Sequence, residues 1–342
     1  MRVGDRTLSF GANASRVAVG ALGGTIAMET VAGGSGVVPT LTAESLVASI
    51  PELESVADIS TTTLSKLPGA SLTARDVLAA VDWALTQVET GCAGVVIAQG
   101  TDTLEETAYL ADLHWARPEP LVFTGAMRPP GQPSADGAAN LVAASRVAAS
   151  TAACHAGVLV VLDDQVHQAR AVRKDHSTAL SAFTSPGTGS IGAVIEGRVT
   201  VHHQPGTRPT LARPSSNPYV PLLESHLDDV GTTLAAVRNA GAHGVTIAAF
   251  GVGHVSATMA AQIEETAREI PVVVSSRTRA GGTLFHTYGF EGSEMDLAKR
   301  GAILSGTLDH RKSRILLWSL LASGMPAHEV RASFERIARH GG

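Results

Sequence analysis

Two stretches of the chain place a hydroxyl side chain directly after a glycine turn. In the first, Gly23-Gly24-Thr25-Ile26-Ala27 follows a short apolar run. Paired glycines let the backbone turn sharply and present the next side chain. A hydroxyl there can act as a nucleophile, contact a phosphate, or only cap a helix. In the second, Gln99-Gly100-Thr101-Asp102-Thr103-Leu104-Glu105-Glu106 sets a hydroxyl beside a carboxylate at the start of a helical pattern. Thr101 could lose a proton to a neighbouring base, and Asp102 could hold a substrate ammonium. Either could instead be an N-cap, with Glu105 and Glu106 as first-turn charges that favour the helix dipole.

A threonine hydroxyl is a weak nucleophile and needs a base. No histidine lies near either threonine, and the 13 His are scattered without an H-E-x-x-H pattern. His202-His203 reads as a solvated pair rather than a metal site. A lysine whose amine is depressed by burial can also serve as base. Lys174, in Arg170-Ala171-Val172-Arg173-Lys174-Asp175, is the candidate. Taken alone, a lysine in so polar a run is ordinarily surface decoration. A dinucleotide site is disfavoured, since Gly20-Ala21-Leu22-Gly23-Gly24 lacks the G-x-G-x-x-G spacing.

These residues need a scaffold, and the hydrophobic pattern supplies one. Val17–Leu22, Gly94–Ala98, Pro120–Thr124 and Gly157–Leu162 are short, continuous, β-branched runs. Such runs suit strands covered on both faces. Between them, Leu72–Glu89, Leu104–His114 and Ala135–Ala153 carry helical spacing. The alternation predicts an α/β fold with a mostly parallel sheet. Residues 202–222 break the pattern with Pro205, Pro209, Pro214, Pro218 and Pro221. After this linker come a helix at Leu234–Ala240, a strand at Gly244–Phe250, a helix at Ser256–Ile270, a strand at Pro271–Ser275 and a last amphipathic helix at Arg311–Ser323. The division is a large N-terminal α/β domain over 1–204, a Pro-rich linker over 205–221 and a smaller C-terminal α/β domain over 222–342. In such sheets ligands sit beyond the carboxyl ends of the strands, which points to the segments after Leu22 and Ala98.

Composition bounds the rest. The 342 residues are 44% hydrophobic and only 17% charged, which excludes disorder. A net charge of −5 with scattered Lys and Arg gives no nucleic-acid stripe. Two cysteines cannot build a disulfide scaffold or a thiolate zinc site, and suit a reducing compartment. No long apolar run precedes Val17 and none of ~18 residues occurs anywhere. A cytoplasmic protein, with no membrane and no nucleic-acid partner, is expected.

Leu22-Gly23-Gly24-Thr25-Ile26-Ala27, followed by Gly100-Thr101-Asp102-Thr103-Leu104-Glu105-Glu106-Thr107-Ala108-Tyr109, resembles the two signatures of the bacterial-type L-asparaginases. Gly125-Ala126-Met127-Arg128-Pro129, Ser134-Ala135-Asp136-Gly137, Gly157-Val158-Leu159-Val160-Val161 and Ser305-Gly306-Thr307-Leu308 are similar to the same family, in the same order. The resemblance runs over nearly the whole chain after residue 16. It implies an amidohydrolase that converts L-asparagine to L-aspartate and ammonia through an acyl-enzyme, with no metal and no cofactor. By this resemblance Thr25 is the attacking nucleophile, Thr101 the second threonine and Lys174 the lysine hydrogen-bonded to it. Which threonine attacks first stays open. Asp102 would engage the substrate α-ammonium, and the Ala126 backbone the side-chain amide. Gly100 and the backbone at Gly69, Ala70 and Ser71 would line the carboxylate end. A homodimer or homotetramer with sites at subunit contacts is implied, Ser256 being lent to a neighbour's site.

The chain departs from the family in several places. Met28–Thr42, where the family has a mobile lid, carries no Tyr, although Gly33-Gly34-Ser35-Gly36 suits a hinge. Gln99 replaces the usual His, Gly69 and Ala70 occupy the places of a Ser-Gln pair, and Ser256 stands where Asn is common. Glu291 and Glu294 are candidate substitutes for an acidic residue near 280–288. Such changes can alter substrate choice, so a glutaminase, amide transfer on charged tRNA and a non-catalytic amino-acid sensor are the competing readings. Acidic charge and the lack of an RNA-binding module disfavour the tRNA version. Retention of Thr25, Thr101, Asp102 and Lys174 disfavours the sensor.

Overall fold

The computed structural model describes residues 15–30, 36–206 and 208–339. Its large sheet has eight strands: β1 Arg16–Ala21, β2 Asp58–Thr63, β3 Gly94–Ala98, β4 Leu121–Thr124, β5 Val158–Leu162, β6 Gln165–Gln168, β7 Gly192–Ile195 and β8 Arg198–Val201. Their spatial order is β8-β7-β6-β5-β4-β3-β1-β2. The five strands from β2 to β5 pair in parallel, and β6 to β8 add an antiparallel edge. Strands β3, β4 and β5 are buried at every position because both faces are covered. Ala18, Val95, Ile97, Leu121 and Phe123 face helices α1 (Ala74–Glu89) and α2 (Leu104–Asp112). Their neighbours Val17, Val19, Val96, Ala98 and Val122 face helix α3 (Gly137–Ala149). Thr73 opens α1 with a complete capping box to Asp76, a device worth about 1 kcal/mol.

The smaller domain is a four-stranded, fully parallel sheet: β9 Leu222–Glu224, β10 Val245–Ala249, β11 Val272–Ser276 and β12 Ile303–Leu304, in that order. It carries α4 (Thr232–Asn239), α5 (Ala257–Ala267), α6 (His310–Ala322) and α7 (Ala327–Arg339). Leu316, Leu317 and Leu320 of α6 and Val330 and Phe334 of α7 belong to the same core cluster as α1 and α2. The two sheets are therefore joined by a continuous apolar layer. Each fully buried Leu or Phe in it contributes about 1.5–3 kcal/mol.

Among the described residues, the Pro-rich segment has no regular structure between Gln204 and Val220, and it lies strapped along the large domain. Leu211 N donates to Leu113 O at 2.7 Å, Arg208 pairs with buried Asp112, and Arg213 pairs with Asp82 on α1. Two elements differ from the pattern-based expectation. The last helix is α7 and not the segment ending at Ser323; Pro326 starts it, and Val330, Phe334 and Ile337 form its buried stripe. The antiparallel edge β6–β8 was not expected, because these four-residue strands are only partly buried.

Candidate active site

The large sheet reverses direction between β1 and β3. The chain leaves β1, forms β2 on one side, then returns to place β3 on the other. The crevice beyond the carboxyl ends of strands at such a point is where α/β sheets hold ligands. Thr25 lies just past β1 and Thr101 just past β3.

The turns meet there backbone to backbone. Gly24 sits at φ 83° and introduces the single 3-10 turn Thr25–Ala27. A side chain at Gly24 would strike the Gly100 backbone at 2.1 Å, and one at Gly100 would strike Gly69 N at 2.8 Å. Only glycine fits at these contacts. Gly69–Ser71 is itself a 3-10 turn after β2, with Gly69 buried and Ala70 and Ser71 exposed. Thr103 Oγ1 donates to Gly69 O at 2.9 Å, fixing that turn to the start of α2. Expectation placed Gly69 and Gly100 near one another, and the fold sets Gly100 against both Gly69 and Gly24.

Thr25 is half-buried and Thr101 is buried. The Lys174 ammonium donates to Thr101 Oγ1 at 2.9 Å and to Asp102 Oδ1 at 3.0 Å. Lys174 is not surface decoration: its side chain is 16% exposed, whereas that of Asp102 is 66% exposed. An ion pair so open on one side contributes little to stability. It leaves a carboxylate facing solvent, ready for a cationic ligand group. Lys174 reaches the cluster from the short ladder Arg173–Lys174/Phe183–Thr184. Next to it, Asp175 is half-buried, and that desolvation alone would raise its pKa. Its bond from Thr184 and the nearby Arg279 charge outweigh that and hold it below the usual carboxylate range.

Ala126 lies in a buried turn after β4. A side chain at Gly125 would come within 3.2 Å of Thr101 Cγ2, so this turn walls the second threonine. Its peptide groups are fixed by residues that sequence reading gave no role. The Asp136 carboxylate accepts from Met127 N and Arg128 N, both at 2.9 Å. Asn140 Nδ2 donates to Gly125 O at 3.0 Å. Gln99 is fully buried; Nε2 donates to Gly100 O and Oε1 accepts from Thr107. It acts as a brace of the glycine turn. Glu105 is also buried and does more than favour the helix dipole: its Oε2 accepts from Lys174 N at 2.8 Å.

The C-terminal-domain candidates lie elsewhere. Ser256 is the N-cap of α5, accepting from Met259 N at 3.1 Å and donating to Asp229 O at 2.6 Å. Glu294 is buried, accepts from Thr287 N and Tyr288 N, and meets His254 Nε2 at 3.2 Å. Glu291 pairs with Arg300. Tyr288 and Phe290, about half exposed, stand edge-on against His254. Of the expected hinge, Gly33, Gly34 and Ser35 lie outside the described residues; the flanking Met28–Thr30 and Val37–Pro39 pair as an antiparallel ladder. His202 and His203 are both exposed. Among the described residues, no group of three or more His, Cys, Asp or Glu is arranged to hold a metal ion.

Residues 16–207 match the family model described as Asparaginase, N-terminal, and residues 219–334 match the Glutaminase/Asparaginase C-terminal domain. The chain belongs to the asparaginase family. Its relatives include the probable L-asparaginase periplasmic of Haemophilus influenzae, 33% identical over 86% of this chain and 84% of that protein. L-asparaginase 2 of Escherichia coli is 30% identical over the same shares. Among solved structures, a probable cytoplasmic L-asparaginase from Campylobacter jejuni superposes with a TM-score of 0.85 at 30% identity, covering 94% of this chain and 99% of that one. In this asparaginase-family chain the two signature turns are the two that flank the sheet reversal.

Proposed function

We propose that the chain hydrolyses the side-chain amide of L-asparagine, releasing L-aspartate and ammonia. The observation that carries this reading is the Lys174 ammonium bonded to both Thr101 and Asp102 beside the glycine crossing. In this reading the exposed Asp102 carboxylate takes the α-ammonium. Backbone N–H groups near Gly69, Ala70, Ser71 and Gly100 take the α-carboxylate, and the Ala126 turn takes the amide. The Thr25 oxygen attacks the amide carbon, and its proton passes to the leaving nitrogen, so that ammonia departs. Water then cleaves the ester and restores the hydroxyl. Lys174 and Thr101 move the protons, a task general acid–base groups perform when within hydrogen-bond reach. Peptide N–H groups aimed at the site stabilise the developing oxyanion without reorganising.

The working unit is proposed to be a homodimer or homotetramer. Ser256 and Glu294 lie together on one rim of the small domain, where Val255 N donates to Gly292 O at 2.9 Å, and a second subunit's site would use that rim. The cytoplasm is favoured because Cys92 and Cys154 are both free thiols. Among the described residues, no helix is long and apolar enough to cross a membrane.

Glutamine is the competing substrate, because the matching C-terminal family description covers both activities. Ammonia release from each amide by the purified protein tests the reading. Release from asparagine well above that from glutamine is expected. The reverse ratio would make it a glutaminase, and binding without release would make it a sensor.

A further inference from the structure

Lys312 is a fully buried lysine far in sequence from the site. Burying an ammonium costs several kcal/mol before its partners are counted, and an apolar side chain of similar volume is often as stable. Stability alone is therefore a weak reason for a lysine here, and its contacts indicate another. Its Nζ donates to Asp309 Oδ2 at 2.8 Å, and Asp309 Oδ1 caps α6 by accepting from Arg311 N and Lys312 N. Burial would raise the Asp309 pKa, but the Lys312 charge and these bonds bring it down to about 2. Asp309 is thus ionised, and its contacts to Lys312 and the α6 backbone lie within the small domain.

The remaining Lys312 contact leaves that domain. Nζ donates at 2.6 Å to the carbonyl of Val172, two residues before Lys174. Neighbouring groups also link the residues that follow Val172 to the small domain. Arg173 donates to the carbonyls of Thr278 and Arg279, at 3.3 and 2.5 Å. Glu105, which accepts from Lys174 N, faces Arg311 at 3.4 Å. The Lys174 amine must stay within about 3.2 Å of Thr101 to hydrogen-bond it. A shift of 1 Å in a reacting group can cost about a hundredfold in rate.

We propose that Lys312 is a positioning residue for Lys174: by pinning the Val172 carbonyl, the start of α6 in the small domain sets where the Lys174 amine stands in the large one. The inference rests on the proposed proton-transfer role of Lys174, but its geometry can be tested separately.

Lys312→Met alone strands the Asp309 carboxylate and risks misfolding, so the test pairs it with Asp309→Asn, which keeps the cap. Two quantities are read in the full-length protein: steady-state ammonia release from asparagine, and the rate at which acetic anhydride labels the Lys174 amine, followed by peptide mass spectrometry. Arg213→Leu, which detaches the linker from α1, is the stability control. The double variant is expected to lose about tenfold to a hundredfold in kcat with KM within about twofold. Lys174 labelling should quicken as its hydrogen bonds loosen and its amine is freed. The control should lower Tm without either change. Labelling and kcat both near wild type would overturn the proposal, as would losses no larger than the control shows at equal Tm. If the wild-type protein releases no ammonia from either amide, the activity reading fails, while the labelling rate still decides whether Lys312 positions Lys174.

Discussion

The chain contains two sheets whose parallel strands both run at their carboxyl ends into glycine turns rich in hydroxyls, yet one edge is chemically open and the other is not. On the small sheet four of the hydroxyls at this edge are spent on the backbone. Ser275 donates to Leu308 O, Ser276 to Gly251 O, Thr278 to Ala280 O, and Ser256 caps α5. On the large sheet three glycine turns touch without intervening side chains, and the buried Thr101 hydroxyl is met by an ammonium. The same topological position thus yields a structural edge or a reactive one. The difference lies in whether each hydroxyl faces a carbonyl or a titratable group. A carbonyl acceptor locks a hydroxyl proton in place, whereas an amine can exchange it.

The largest test of this contrast is Thr25→Ala. Removing the nucleophile from the open edge should lower kcat on the order of 10⁴-fold or more, with Tm nearly unchanged because Thr25 is only half-buried. A variant keeping near-native kcat would remove Thr25 from the reaction. Lys174→Met comes next, with an expected loss of about 10²–10⁴-fold in kcat and a small change in Tm. A large Tm loss with kcat preserved per folded molecule would make Lys174 a structural residue of the kind the small sheet uses.

A third test concerns pH. His167 on β6 is buried, its Nδ1 meets Ser185 Oγ at 2.9 Å, and burial lowers its pKa to about 4. The unfolded chain takes up a proton near 6.5 and the folded one does not until near 4. The unfolded state therefore gains on acidification through that window, and stability falls by roughly 3 kcal/mol at most. His167→Asn should flatten the fall of Tm between about pH 6.5 and 4; an unchanged slope would place the acid sensitivity elsewhere. The smallest expected effect belongs to the closed edge. Ser256→Ala should cost about 1 kcal/mol through the lost cap, read as a lower urea midpoint. A rise in KM for asparagine beyond that would mean its hydroxyl also serves a second subunit's site.

Much of this was legible in sequence. The continuous runs at β1, β3, β4 and β5 gave their strands away because both faces are buried, and the helical spacing over Leu72–Glu89 gave α1. β2 was hidden because Asp58–Thr63 is polar and half-exposed. α7 was legible in principle, since Val330, Phe334, Ile337 and Ala338 recur at helical spacing after Pro326. Thr25, Thr101, Asp102 and Lys174 came from local motifs and a resemblance. The bonds that hold them did not, because Lys312 with Val172 and Glu105 with Lys174 join residues with no shared pattern. Such contacts are set by how the two sheets pack, which short-range spacing does not encode.

The most direct test is a crystal structure of the protein soaked with L-aspartate. The expected result places the amino acid at the junction of the Gly24, Gly69 and Gly100 turns, with its ammonium within about 3.2 Å of Asp102 and its side-chain carboxyl facing Thr25 and Thr101. Aspartate bound at another place, with this crevice vacant and asparagine still hydrolysed, would contradict it.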